Sequence, residues 1–101
     1  MARSVVFAPE AEADLIELYD YIAAHGSPAR ALGYVERIVT ACVSLATLAS
    51  RGTPRDDVRP GLRLTSVARR VTIAYHLADE TVTIDRILYG GRDLPAAFDE
   101  A

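Results

Sequence analysis

Apolar side chains recur at helical spacing through residues 9–49, and at the spacing of strands from residue 62 onward. Ala11, Leu15, Leu18 and Ile22 follow at steps of four, three and four, which is one stripe along a helix. Pro9 fits the first helical position, and Glu10 and Glu12 suit the positive end of the helix dipole. Ala8 before it is a weak N-cap. Glu10, Glu17 and Asp20 lie off the stripe and should face water, and Gly26 can end the helix. Ser27-Pro28 restarts the pattern as N-cap and first helical residue. Ala31, Val35, Ile38, Cys42, Leu45 and Ala49 then repeat at helical steps, widened by Tyr34, Val39 and Leu48. Gly33 sits inside this helix at a cost of roughly 1 kcal/mol relative to Ala, for which close helix–helix approach is one explanation. The short His25-Gly26 connection makes the two helices an antiparallel hairpin.

Arg3 to Phe7 is short and rich in β-formers and reads as a strand. Residues 50–61 hold two prolines and two glycines and form a long loop, a length that is often functional. The period then becomes two, in Leu62-Arg63-Leu64-Thr65, in Val71 to His76, and in Val82 to Tyr89, whose end turns apolar. Ala68-Arg69-Arg70 and Ala78-Asp79-Glu80 separate these runs at hairpin lengths. The tail from Gly90 reads as irregular, with a short turn near Pro95-Ala96-Ala97-Phe98. The expected fold is α+β, one domain over residues 1–101 in the order β-α-α-β-β-β. A leading strand precedes a helical hairpin packed on an antiparallel meander, with Leu15, Leu18, Ile22, Val35, Ile38, Cys42, Leu45, Leu64, Ile73, Tyr75 and Ile84 in the core.

At 101 residues, half of them apolar, the chain supports one core and no large internal cavity. No apolar run approaches the ~20 residues of a membrane span. The first residues are too short for a signal peptide, and a cytoplasmic location is expected. Cys42 is the single cysteine, so neither an internal disulfide nor a cysteine-rich metal site is available.

Charge sharpens the picture. The net charge is −3, yet residues 51–70 carry six arginines (Arg51, Arg55, Arg59, Arg63, Arg69, Arg70) against Asp56 and Asp57. Every basic side chain is arginine, which makes planar forked contacts but is a poor proton-transfer group at neutral pH. His25, His76 and Cys42 lack metal-ligand spacing, and no metal or cofactor is expected. Gly90-Gly91 is too little for a phosphate-cradling loop, and no nucleophile stands in a recognisable context. The acids of the first helix read as a solvated face. Asp14 is the exception: it neighbours the buried stripe and can bond the sheet or an arginine. The loop arginines read equally as a solvated, charge-balanced edge. Alternation puts Arg63 on the face opposite Leu62 and Leu64. It puts Arg86 inward with Val82 and Ile84, where a charge needs a partner or a groove, with Asp93 among the candidates.

Taken in order, several segments resemble the ParE/RelE family of bacterial toxins, and its ParE branch best. They are Phe7-Ala8-Pro9-Glu10-Ala11-Glu12-Ala13-Asp14-Leu15, Tyr19-Asp20-Tyr21-Ile22, Arg51-Gly52-Thr53-Pro54-Arg55, Pro60-Gly61-Leu62-Arg63, Tyr75, and Ile87-Leu88-Tyr89-Gly90-Gly91-Arg92-Asp93-Leu94. The resemblance implies a small cytoplasmic growth inhibitor held inactive by an antitoxin from the same operon. ParE-like members act on DNA gyrase, whereas RelE-like members cut mRNA on the ribosome, and the shared fold does not choose between them. RelE-like ribonucleases are strongly basic and use lysine, arginine and a tail tyrosine, or Glu and His in relatives. This chain has no lysine, is net acidic, and has only Phe98 as tail aromatic, without a hydroxyl for proton transfer. An RNA partner also favours a basic protein. The chain departs from the family pattern with Ala8 where a capping Ser or Thr is usual, Tyr89 for His, and Gly91 for a second basic residue.

The resemblance therefore implies a non-enzymatic toxin that binds gyrase and is neutralised by a ParD-like antitoxin, with no catalytic residues and no direct DNA binding unless the antitoxin is present. The alternatives are a ribosome-dependent endoribonuclease and a toxin-derived domain without activity. Expected target-binding residues are Arg63, Arg86, Tyr89, Arg92 and Asp93, with Arg86 and Asp93 alternatively a structural pair. Expected antitoxin-binding residues are Leu18, Ile22, Tyr34 and Ile38.

Overall fold

The computed structural model describes residues 2–90 and Phe98. The expected Arg92 and Asp93 contacts and the turn near 95–98 lie outside the described residues. Strand β1 (Ser4–Phe7) leads into α1 (Pro9–His25) and α2 (Pro28–Ser44). A 3-10 turn (Ala49–Arg51) and a two-residue strand β2 (Thr53–Pro54) follow, then β3 (Arg63–Val67), β4 (Val71–Leu77) and β5 (Thr81–Tyr89). Local chemistry sets the helix limits. Pro9 opens α1 with no side-chain cap from Ala8, and Gly26 closes it by donating to the Ile22 carbonyl at 2.8 Å. Ser27 caps α2 by accepting from the Arg30 amide at 3.1 Å. The second helix ends at Ser44, short of the sequence stripe, and a run of turns carries Leu45 and Ala49 on into the core.

The sheet has five strands in the order β1-β5-β4-β3-β2. Its centre is the expected antiparallel meander, but the sheet as a whole is mixed, because β1 runs parallel to β5 from Ser4↔Thr81 to Phe7↔Ile84. Both helices pack on one face. Ala11, Leu18, Ile38, Cys42 and Leu45 meet Val71, Ile73, Tyr75, Val82, Ile84 and Ile87 there, with Leu15 and Ile22 partly buried against them. Each large side chain so buried contributes roughly 1.5–3 kcal/mol.

Two strand details depart from the faces expected of the sequence. Arg63 pairs with Tyr75 and Leu64 with Ala74, so Arg63 shares the helix-side face and half-buried Leu64 turns to the other. The neighbouring Leu62, just before the strand, is the leucine that is wholly buried. In β5, Tyr75 pairs with Ile84 but Ala74 with Arg86, which leaves Asp85 as an extra residue in a β-bulge. Ile84 and Ile87 both enter the core, so the alternation slips between them.

Candidate functional site

Just past the bulge, β5 is tied to α1 through Asp14. The Asp14 carboxylate, almost wholly buried on α1, accepts from Arg86 Nε at 2.8 Å, Arg86 Nη2 at 3.0 Å and the Ile87 amide at 2.9 Å. The Ile87 amide, which lies past the last β5 residue paired with β1, is thus satisfied by a helix side chain, and the arginine is neutralised by a forked pair. Helix and strand are tied across 72 residues of sequence. Sequence reasoning marked Asp14 and Arg86 separately but did not join them.

Beside this anchor, α1 and the end of β5 enclose a cavity of about 300 Å³ lined by Asp14, Glu17, Leu18, Tyr21, Ile87 and Tyr89. Tyr89 stands at the centre of an aromatic group. Its ring centroid is 6.3 Å from that of Tyr21 and 6.2 Å from that of Tyr34, and Tyr21 lies 4.3 Å from His25. Partial burial raises the Tyr34 pKa above its ordinary value, aided by Tyr89 and opposed by Arg37 and Arg70. Tyr34 also donates to the Ala68 carbonyl at 3.3 Å. That carbonyl belongs to the β3–β4 turn, where Ala68 and Arg69 hold φ of 53° and 67°, the left-handed region that L side chains adopt at a cost.

A second, shallower groove of about 470 Å³ runs between α2 and β3, lined by Gly33, Glu36, Arg37, Thr40, Ala41, Ser44 and Val67. Gly33 faces open space, with nothing within 4 Å of the position its Cβ would take. It opens this groove and does not serve a close helix contact. Only Arg63 and Leu64 of β3 pair with β2, so among the described residues the outer edge of Thr65–Val67 has no partner strand.

A third feature fixes the loop before the meander. The Tyr75 hydroxyl donates to the Ala49 carbonyl at 2.8 Å and accepts from the Gly52 amide at 3.0 Å. Arg63 Nη2 reaches the Ser50 and Gly52 carbonyls at 3.0 and 2.7 Å. Further along the loop, Arg55 and Asp57 form a forked exposed pair that raises the pKa of Arg55 and lowers that of Asp57.

The expected site residues thus separate. Tyr89 lines the cavity with Leu18; Tyr34 touches Tyr89 and the strained turn; Ile22 packs at the core margin. Arg63 and Arg86 spend their guanidinium groups on the loop carbonyls and on Asp14. Ile38 is wholly buried and packs the core, so it offers no surface; the exposed large apolar side chains include Ile16, Tyr21, Leu32 and Val43. Sequence reasoning also missed a pair on the sheet's other face. His76 Nδ1 lies 2.7 Å from Asp85 Oδ2, with the carboxylate buried and the imidazole 42% exposed. The available signal was two polar residues on adjoining strands across one hairpin. Cys42 is fully buried, which pushes its pKa up to about 12 and leaves it inert. Among the described residues no cluster of three or more His, Cys, Asp or Glu can hold a metal, and no helix is long and apolar enough to cross a membrane.

A helical hairpin on one face of a five-stranded mixed sheet is the architecture of the ParE/RelE toxins. The family model for the ParE toxin of the type II toxin–antitoxin system parDE matches residues 5–94, and the chain belongs to that family. A solved chromosomal ParDE toxin–antitoxin system from P. aeruginosa matches at 27% identity and TM-score 0.77, over 88% of this chain and 97% of that one. The RelBE2 toxin–antitoxin complex of Mycobacterium tuberculosis matches in fold at 22% identity and TM-score 0.68, over 88% of this chain and 99% of that one. YafQ of E. coli shares the fold more distantly, at 14% identity and TM-score 0.51, over 95% and 98% of the two chains. No curated protein sequence matches significantly.

Proposed function

We propose that this toxin arrests growth by binding DNA gyrase, without cutting RNA, and is neutralised by a ParD-like antitoxin. The observation that carries the reading is the match to the ParE family across residues 5–94. The chemistry supports it. A ribonuclease of this fold needs cationic side chains free to hold phosphate and groups placed to move protons. Here Arg63 is engaged by backbone carbonyls and Arg86 by Asp14, so the sheet arginines serve the fold. Phe98, with Arg59 stacked 4.6 Å above its ring, has no hydroxyl to offer.

The antitoxin segment is proposed to dock along the hairpin and the sheet edge. The groove between α2 and β3 adjoins the open edge at Thr65–Val67, and Arg37, Arg69 and Arg70 stand near it against Glu36. An extended, partly acidic peptide matches that surface, with main-chain bonds to the strand and an apolar side chain over Ala41 and Val67.

One observation favours the ribonuclease alternative. A buried carboxylate orienting an exposed imidazole, as in Asp85–His76, is a geometry suited to general-base work. Induced expression in bacteria separates the two readings. The gyrase reading predicts relaxed plasmid DNA and intact mRNA, and it predicts that His76→Ala keeps full toxicity. Cleaved mRNA with normal plasmid topology, and loss of toxicity in His76→Ala, would establish the ribonuclease instead.

A further inference from the structure

We infer that the cavity between α1 and the end of β5 is a receptor for one arginine side chain of a protein partner. Its volume of about 300 Å³ lies at the lower end of small-molecule sites, roughly 300–1,000 Å³, and suits one long side chain better than a cofactor. The lining is graded from apolar to charged. Leu18 and Ile87 are buried and offer a bed for a methylene stem. Tyr21 and Tyr89 form the aromatic wall. Their centroids are 6.3 Å apart with the rings tilted by 49°, too close to admit a third plane between them. A cation therefore enters beside the pair, at the exposed edge of Tyr21, since His25 already lies against that ring with centroids 4.3 Å apart.

Charge sets the sign of the occupant. Asp14 is neutralised locally by Arg86, so among the described lining residues Glu17 at the rim supplies the remaining negative charge. The surrounding helix reinforces it, since Pro9–His25 carries Glu10, Glu12, Asp14, Glu17 and Asp20 and no lysine or arginine. Among cations, a guanidinium fits better than an ammonium. Its planar fork matches the Glu17 carboxylate, and its weak hydration suits a site lined by two tyrosines. The inference goes beyond the toxin reading, because it names the chemistry of one contact and requires neither gyrase nor a particular antitoxin.

The test uses the full chain and a defined probe, N-acetyl-arginine N-methylamide, followed by amide chemical shifts. Binding is expected in the millimolar range, with the largest shifts at Glu17, Leu18, Tyr21, Ile87 and Tyr89. The uncharged citrulline analogue should bind about tenfold more weakly, and Glu17→Gln, at an exposed position, should lose most of that preference. The lysine analogue should fall between them. Shifts at other residues, equal binding of citrulline or lysine, or an unaltered arginine preference in Glu17→Gln would each overturn the inference.

Discussion

Substituting Gly52 by alanine tests how the loop is locked to the sheet. Gly52 has φ −71° and ψ 163°, a conformation open to any residue, so backbone strain contributes nothing. The cost is steric. A Cβ there would lie 2.8 Å from the Leu64 carbonyl oxygen and 3.0 Å from Tyr75 Cε1, and would press on the Tyr75 hydroxyl. That hydroxyl joins Ala49 and Gly52, and Tyr75 is fully buried, so it has no space to retreat. Losing two buried hydrogen bonds costs about 1 kcal/mol each. Overpacking adds about 1–3 kcal/mol, and Gly52→Ala should lose about 3–5 kcal/mol in all. Urea denaturation reads this as a lower midpoint at unchanged slope. Tyr75→Phe supplies the control, since it removes the oxygen that the new methyl meets. In that background Gly52→Ala should cost at least about 1 kcal/mol less, a coupling that a double-mutant cycle isolates. A loss under about 0.5 kcal/mol, or strict additivity with Tyr75→Phe, would refute the reasoning.

Other outcomes follow from the same contacts. Asp14→Ala removes the buried carboxylate that accepts from both Arg86 and the Ile87 amide, and should cost about 3–5 kcal/mol in urea denaturation. Ala68→Gly removes the penalty of a left-handed alanine and should raise stability by about 0.5–1 kcal/mol, read as an increase in Tm. Because the Cys42 pKa is raised when folded, the thiol stabilises the fold below its ordinary value of 9.0, and that contribution is lost as pH rises from there towards about 12. Alkylation at pH 8 should accordingly be at least about 100-fold slower in the folded chain than in urea, measured by mass spectrometry. Arg37→Glu should weaken antitoxin binding about tenfold, near 1.4 kcal/mol, in titration calorimetry, without moving Tm.

What the sequence made legible was periodic. The stripes of α1 and α2 and the hairpin between them follow from 3.6-residue spacing, and the meander from alternation. Non-local pairings were hidden. Nothing local tells β1 that it will lie parallel to β5, because that register is set by packing near Ile84, more than 70 residues away. Leu62-Arg63-Leu64 alternates correctly, but the face was assigned to Leu64. The pairing of Arg63 with the core residue Tyr75, and the arginine's bonds to the Ser50 and Gly52 carbonyls, decide the opposite. In β5 the apolar run Ile87-Leu88 is the trace of a bulge, and the Arg86 side chain and Ile87 amide just past it both bind Asp14. The His76–Asp85 pair was legible only once the hairpin register was known.

The central claim is a binding toxin aimed at gyrase, and the most direct measurement adds the purified protein to gyrase supercoiling relaxed plasmid. The account predicts dose-dependent loss of supercoiling, unchanged in His76→Ala and abolished by the co-expressed antitoxin. Supercoiling untouched at a large molar excess, with mRNA cut at the ribosomal A site by the same preparation, would contradict it.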